Sequence, residues 1–222
     1  QLTGDGYIAS IQLRDVKDGA DILLPGTGAT KGITINVRQI QEDTDISLGS
    51  YLKSLTAVTW LSGSLTAPWV SSLSIKGDSK NGVAGDFGAN MTLTGTNPKG
   101  LSLSKLLVAG TVLDSTVWAA GSMGTLQMGA AIGSDFLAGI AEDAGRHAGD
   151  QADFVNTQAS IKSVKVKGWK VAKGAAVPRF YENSNFSAAS LGTFSLLNMD
   201  YSNEDELFGL FALDQGTGKE IK

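Results

Sequence analysis

One short phrase recurs along the chain: a small polar residue, an apolar residue, any residue, a second apolar residue, then often glycine. It reads Ser10-Ile11-Gln12-Leu13, Ser54-Leu55-Thr56-Ala57-Val58, Ser72-Leu73-Ser74-Ile75-Lys76-Gly77 and Lys105-Leu106-Leu107-Val108-Ala109-Gly110. It returns as Thr125-Leu126-Gln127-Met128-Gly129, Ser163-Val164-Lys165-Val166-Lys167-Gly168 and Thr193-Phe194-Ser195-Leu196. Alternation of apolar and polar residues marks a half-buried strand. One such strand repeated many times marks a solenoid, in which each turn of chain stacks on the last.

A second phrase precedes the first in most repeats: Asp45-Ile46-Ser47-Leu48, Ser64-Leu65-Thr66-Ala67, Asn90-Met91-Thr92-Leu93, Thr116-Val117-Trp118-Ala119, Asp135-Phe136-Leu137-Ala138 and Asn185-Phe186-Ser187-Ala188. The stretch Asp21-Ile22-Leu23-Leu24 fits it too. Each repeat thus holds two alternating strands with a glycine or small-residue corner between them. The anchor spacings Leu55 to Leu73 and Leu106 to Leu126 set one coil at about 18–20 residues. Ile33 and Ile35 mark a further coil between Ile11 and Leu55. The longer gaps are one coil plus an inserted loop. Three inserts stand out: Gly77 to Ala89, Glu142 to Thr157 and Trp169 to Ser184, the second with a short helix expected around Ala141 to His147. The count comes to about seven or eight coils and a stack some 35–40 Å long.

These patterns predict an all-β fold: a single right-handed parallel β-helix (β-solenoid) over residues 1–222, with inserted loops. A β-sandwich is the competing architecture, but it wants hairpin turns such as Asn-Gly between adjacent strands, and Asn81-Gly82 falls inside an insert. The 28 glycines and only 4 prolines suit short strands joined by tight corners.

Charge narrows the partners. Net charge is −4, with 18 basic against 22 acidic residues, which argues against nucleic acid. The one basic concentration, Lys162 to Lys173, reads as a solvent face or strand edge kept soluble by lysine. With no cysteine, thiol nucleophiles, disulfides and thiolate metal sites are excluded. No apolar run reaches the length of a membrane span, and no signal-type start is visible at Gln1-Leu2-Thr3-Gly4.

Leu55-Thr56-Ala57-Val58-Thr59-Trp60, followed by Gly63-Ser64-Leu65-Thr66-Ala67-Pro68-Trp69-Val70, resembles a signature of large repetitive proteins of environmental bacteria. Gly85-Asp86-Phe87-Gly88-Ala89-Asn90-Met91-Thr92-Leu93 and Asp114-Ser115-Thr116-Val117-Trp118 extend the resemblance, which covers roughly residues 4–215. It implies parallel β-helices that are secreted or displayed at the cell surface, and it carries no established reaction.

Chemical candidates are few. His147, beside Arg146 and near Asp143 and Asp150, lacks the Gly-x-Ser-x-Gly elbow of a hydrolase and reads as a solvated loop histidine. The acids Asp15, Asp18 and Asp21 surround a glycine turn and are the candidate calcium ligands, although they lack the EF-hand pattern. Glu204, Asp205 and Glu206 form a second acidic cluster. Trp69 and Trp118 fall at related places in their coils and are the candidate sugar-stacking residues.

The expectation is a non-enzymatic structural or interaction domain, adhesin-like, secreted or at the cell surface. Its partners would be other copies or domains of a surface assembly, or a cell-surface glycan. The alternative is a carbohydrate-binding or polysaccharide-cleaving β-helix with a groove bordered by the inserts around Asp78, His147 and Arg179. The apolar run Leu207 to Leu213 would cover the last coil or contact a neighbour.

Overall fold

The computed structural model describes residues 2–3, 8–17, 19–26, 31–199 and 208–213. They form a parallel β-helix, with every pairing between named strands parallel. Sheet A stacks Leu2–Thr3, Ile22–Leu24, Thr44–Leu48, Gly63–Ala67, Asn90–Leu93, Thr116–Ala119, Asp135–Ala138, Asn185–Ala188 and Gly209–Ala212. Sheet B stacks Ser10–Val16, Ile33–Ile40, Leu52–Ala57, Leu73–Ile75, Leu101–Val108, Ser122–Met128, Ser160–Val166 and Ser190–Leu196. The order of strands in each sheet is their order in the chain.

Both repeated phrases are physical ladders. The first is Ile11–Ile35–Leu55–Leu73–Leu106–Leu126–Val164–Phe194, paired residue to residue up sheet B. The second is Ile22–Ile46–Leu65–Met91–Val117–Phe136–Phe186–Leu210, up sheet A. All these anchors point inward. Leu55, Leu73, Leu106 and Leu126 are fully buried. A single coil has nothing to bury them against, so the stack is the core. Each such leucine contributes about 1.5–3 kcal/mol through that burial.

A third, narrower side closes each coil. Trp60, Phe87, Val112, Ala131, Tyr181 and Met199 pair in succession, mostly as isolated bridges around the short strands Thr111–Leu113, Ala130–Ile132 and Tyr181–Glu182. Sequence alternation did not reveal this side, sheet C, because one inward residue per coil leaves no period.

The corner from sheet C to sheet A has its own logic. Asp114, Gly133 and Asn183 take positive φ values of 46°, 60° and 41°. Glycine, Asp and Asn are the residues that tolerate this left-handed turn. Each is followed by a buried serine, Ser115, Ser134 and Ser184. The backbone N–H of Ser115 donates to the Ser134 hydroxyl at 3.2 Å, and that of Ser134 to the Ser184 hydroxyl at 3.1 Å. Each hydroxyl in turn donates to a carbonyl two residues earlier. The turn thereby satisfies polar groups that burial would otherwise leave unpaired.

The inserts leave two different corners. Residues 76–86 and 167–180 lie between sheets B and C, whereas 139–159 lies between sheets A and B. The expected helix at Ala141–His147 is absent. That stretch is a series of turns, and the one helical piece of the insert is the 3₁₀ turn Gln151–Asp153, capped by Asp150. Gly145 at φ +78° and the lack of a repeating apolar face explain why no α-helix forms.

Candidate functional site

The 139–159 insert folds across the outer face of sheet A. Leu137 there is apolar and buried, and it packs with Ile140, Ala148, Phe154 and Ala189, with Trp118 against the same cluster. The indole N–H of Trp118 donates to the Ile140 carbonyl at 2.8 Å. The backbone N–H of Ala148 reaches the Ser187 hydroxyl at 3.4 Å. His147 stacks on Phe211, with ring centroids 4.2 Å apart and planes 3° apart. It is a half-buried packing residue rather than the solvated loop histidine expected from the sequence.

The far end of this strap is pinned by a polar cluster. The Asp135 carboxylate is 5% exposed and accepts from Asn185 Nδ2 at 2.6 Å and from Arg146 Nε and Nη2 at 3.2 and 3.3 Å. Arg146 also donates to the Asn183 side chain and carbonyl at 2.8 and 2.7 Å. Burial pushes the Asp135 carboxyl above its ordinary 3.8, against the opposing pull of Asn185 and Arg146. Burial also raises the Tyr181 phenol, with the Asp135 charge adding to it. Every polar group here is used by another part of the fold, so the cluster works as an anchor for the insert.

The sequence candidates fall apart in space. Trp69 lies at the corner between sheets A and B and stacks on Tyr51 at 3.8 Å and 9°. Trp118 lies on the outer face of sheet A, two strands further along the stack. They occupy unrelated positions in their coils and form no common platform. Asp15 accepts from Arg38 Nε at 3.1 Å, with Arg14 Nε 3.9 Å away. Asp21 accepts from the backbone N–H of Asp45 at 3.3 Å. Asp18, Glu204, Asp205 and Glu206 lie outside the described residues, as do Asp200 to Leu207 of the C-terminal region. Among the described residues no three His, Cys, Asp or Glu side chains gather as a metal site, and no helix is long and apolar enough to cross a membrane. Asp78 and Arg179 share the corner between sheets B and C, while the insert carrying His147 crosses sheet A; the three do not line one wall.

What the registers bring together is the outer face of sheet B. Two rows of side chains point outward along it. One runs Ser10–Thr34–Ser54–Ser72–Lys105–Thr125–Ser163–Thr193, and the other Gln12–Asn36–Thr56–Ser74–Leu107–Gln127–Lys165–Ser195. All are exposed or half-exposed. None of their hydroxyls or amides bonds to another described side chain or backbone group. Successive residues of a row stand about 4.8 Å apart along the stack, and the two rows lie about 6.7 Å apart along the strands.

Charge is sorted in the same way. Sheet B strands carry Arg14, Arg38, Lys53, Lys105, Lys162 and Lys165 against Asp15 alone, a net of +5 in a chain of net −4. Sheet A strands carry Asp45 and Asp135 and no basic residue. The remaining described Lys and Arg residues lie in the connections between the sheets, Arg146 among them. Of the Lys162–Lys173 concentration read from the sequence, Lys162 and Lys165 stand on this face and the rest in the following insert; Lys53 and Lys105 went unread because they join Lys165 only through the coil register.

Comparisons with protein-family models, with curated proteins and with solved structures gave no match. Fold and surface together define the class: a parallel β-solenoid whose interior is filled by the two anchor ladders and whose sheet B carries a basic, hydroxyl-rich outer face.

Proposed function

We propose that this chain is a non-enzymatic structural or interaction module, adhesin-like, of a secreted or cell-surface protein. It assembles with other copies or with neighbouring domains. One observation carries the reading. The inward ladders run through every coil, yet in the last coil of sheet B they are half-exposed at Leu191, Phe194 and Leu196, and Leu210 at the end of sheet A is 40% exposed. The same positions one coil earlier, Ile161, Val164, Val166 and Phe186, are buried. Among the described residues the last strand of each sheet therefore presents apolar side chains and an edge with no further strand paired to it, a surface of the kind that pairs with another chain or domain.

The test is association measured by sedimentation across a wide concentration range. Association is expected, and Phe194→Lys with Leu196→Lys should reduce it. A compact monomer at every concentration contradicts the reading. The second reading, a carbohydrate-binding β-helix, is favoured by a separate observation, the basic and hydroxyl-rich outer face of sheet B.

A further inference from the structure

We infer that the outer face of sheet B binds an extended anionic polysaccharide, one bearing carboxylate or sulfate groups. The inference deepens the reading of the chain as an interaction module and rests on it, but it concerns a different surface from the apolar end.

Three properties of the face converge. The first is charge. Lys53, Lys105 and Lys165 are exposed, and no acidic partner is within ion-pair distance among the described residues. They stand on every second strand, so they recur about every 10 Å along the stack. That is about one Debye length at ordinary salt, so each cation acts on its own stretch of a bound polymer. Lys162 adds a fourth charge beside Lys165.

The second property is the ground between the cations. Serine, threonine, asparagine and glutamine fill nearly all the remaining outward positions, and their polar groups are unengaged within the protein. Such groups donate to and accept from sugar hydroxyls equally well. A rigid sheet holds them in place before the ligand arrives, so little side-chain entropy is lost on binding.

The third property selects the class of polymer. No aromatic side chain points outward from the described strands of sheet B; its one aromatic, Phe194, belongs to the inward ladder. Single-stranded nucleic acid is held mainly by stacking on exposed rings, which this face lacks. Membrane attachment uses an apolar side to enter the lipid, and Leu107 is the one aliphatic residue in the two outward rows. A charged, hydroxylated, unstacked chain is what the face complements. At its edge Lys76 and Lys80 line a depression of about 560 Å³ with Asp78, Ser79 and Ala109, a place for a branch or substituent.

The experiment measures binding of the full chain to polygalacturonate and to dextran sulfate, with neutral dextran, a single-stranded oligonucleotide and phosphatidylserine vesicles as separate arms. Lys53→Gln, Lys105→Gln and Lys165→Gln are combined in one variant. Thr66→Glu, Leu113→Glu and Thr116→Glu make a second variant with the same charge change away from sheet B. Wild type should bind both anionic polysaccharides, more weakly as salt rises, and neutral dextran at least tenfold more weakly. The lysine variant should lose at least tenfold in affinity and the second variant less than threefold. Single Lys105→Gln and Lys165→Gln variants give the same reading, in smaller steps, if the triple variant does not fold. Equal losses in both variants overturn the inference, as does an absence of binding at low salt. Tighter binding to the oligonucleotide or the vesicles also overturns it. Sedimentation of the lysine variant separates the two proposals: its association should match wild type, whatever happens to binding.

Discussion

Gly124 is the sharpest probe of how closely these coils stack. It sits in the sheet B strand Ser122–Met128, with ordinary negative φ, so alanine meets no backbone objection there. Space is the objection. A Cβ added at Gly124 would lie 2.2 Å from the Ser104 carbonyl oxygen of the coil below. The neighbour is backbone and cannot swing aside, so the strands must part by about 0.8 Å to reach the 3.0 Å that real Cβ atoms respect. Ladder hydrogen bonds near 2.9 Å then stretch past the useful limit. Losing two of them costs about 2 kcal/mol. Alanine also stiffens the unfolded chain, which returns about 0.4–1 kcal/mol. The net expectation for Gly124→Ala is a loss of about 1–2 kcal/mol, or about 2–8 °C in melting temperature for a chain of this size. The assay is thermal and urea unfolding followed by circular dichroism. Gly149→Ala is the control: its nearest atom, Asp153 Oδ2, is 3.4 Å away, so no loss is expected and at most the gain of about 0.4–1 kcal/mol from the stiffer unfolded chain. If Gly124→Ala unfolds at the wild-type midpoint, the coils do not approach each other as described.

Two further predictions concern the strap over sheet A. Trp118→Ala removes both the packing under the insert and the hydrogen bond to Ile140, so the insert should open while the stack persists. Trypsin should then cut after Arg146 at least several-fold faster, with little change in the main unfolding transition; an unchanged cleavage rate contradicts the packing. Asp135 makes a pH prediction. Its carboxyl is raised above 3.8 in the folded protein by burial, so its contribution to stability is full below that value and is lost as pH rises through the folded value. The stability of wild type relative to Asp135→Asn should therefore fall as pH rises from about 3 to 6, and a relative stability that rises would show that the Arg146 ion pair outweighs desolvation.

Much of this fold was legible from side-chain type alone. Ile, Leu, Val, Met and Phe recur at the anchor positions because large apolar side chains fill the interior, and both anchor series proved to be single ladders. Sheet C was not legible, since Trp60, Phe87, Val112, Ala131 and Tyr181 share neither size nor period. The covering of sheet A did leave a trace. Outward positions read Thr in Asn90-Met91-Thr92-Leu93 but Trp in Thr116-Val117-Trp118-Ala119 and Leu in Asp135-Phe136-Leu137-Ala138. An apolar residue at an outward place needs a cover, and the insert is that cover. The charged face of sheet B left almost none, because 52 residues separate Lys53 from Lys105 and another 60 separate Lys105 from Lys165. Only the coil register brings them onto one face, on every second strand of sheet B. The relation between the two tryptophans was misread in the same way: similar local phrases placed Trp69 at a corner and Trp118 on a sheet.

The core, the strap and the basic face all depend on coils being stacked in this register, across inserts as well as within regular repeats. The chain has no native cysteine, so an introduced pair reports cleanly. Thr125 and Ser163 are 38 residues apart, flank the insert over sheet A, and are register partners on the outer face of sheet B. At about 4.8 Å between strands, their Cα atoms lie within the range a disulfide spans. The double variant Thr125→Cys with Ser163→Cys should oxidise quantitatively to an intramolecular disulfide in the native protein. The pair Thr125→Cys with Val164→Cys, which puts one thiol outside and one inside, should remain reduced. The opposite pattern, or no crosslink in either, contradicts the stacked register on which the scaffold and its basic face both rest.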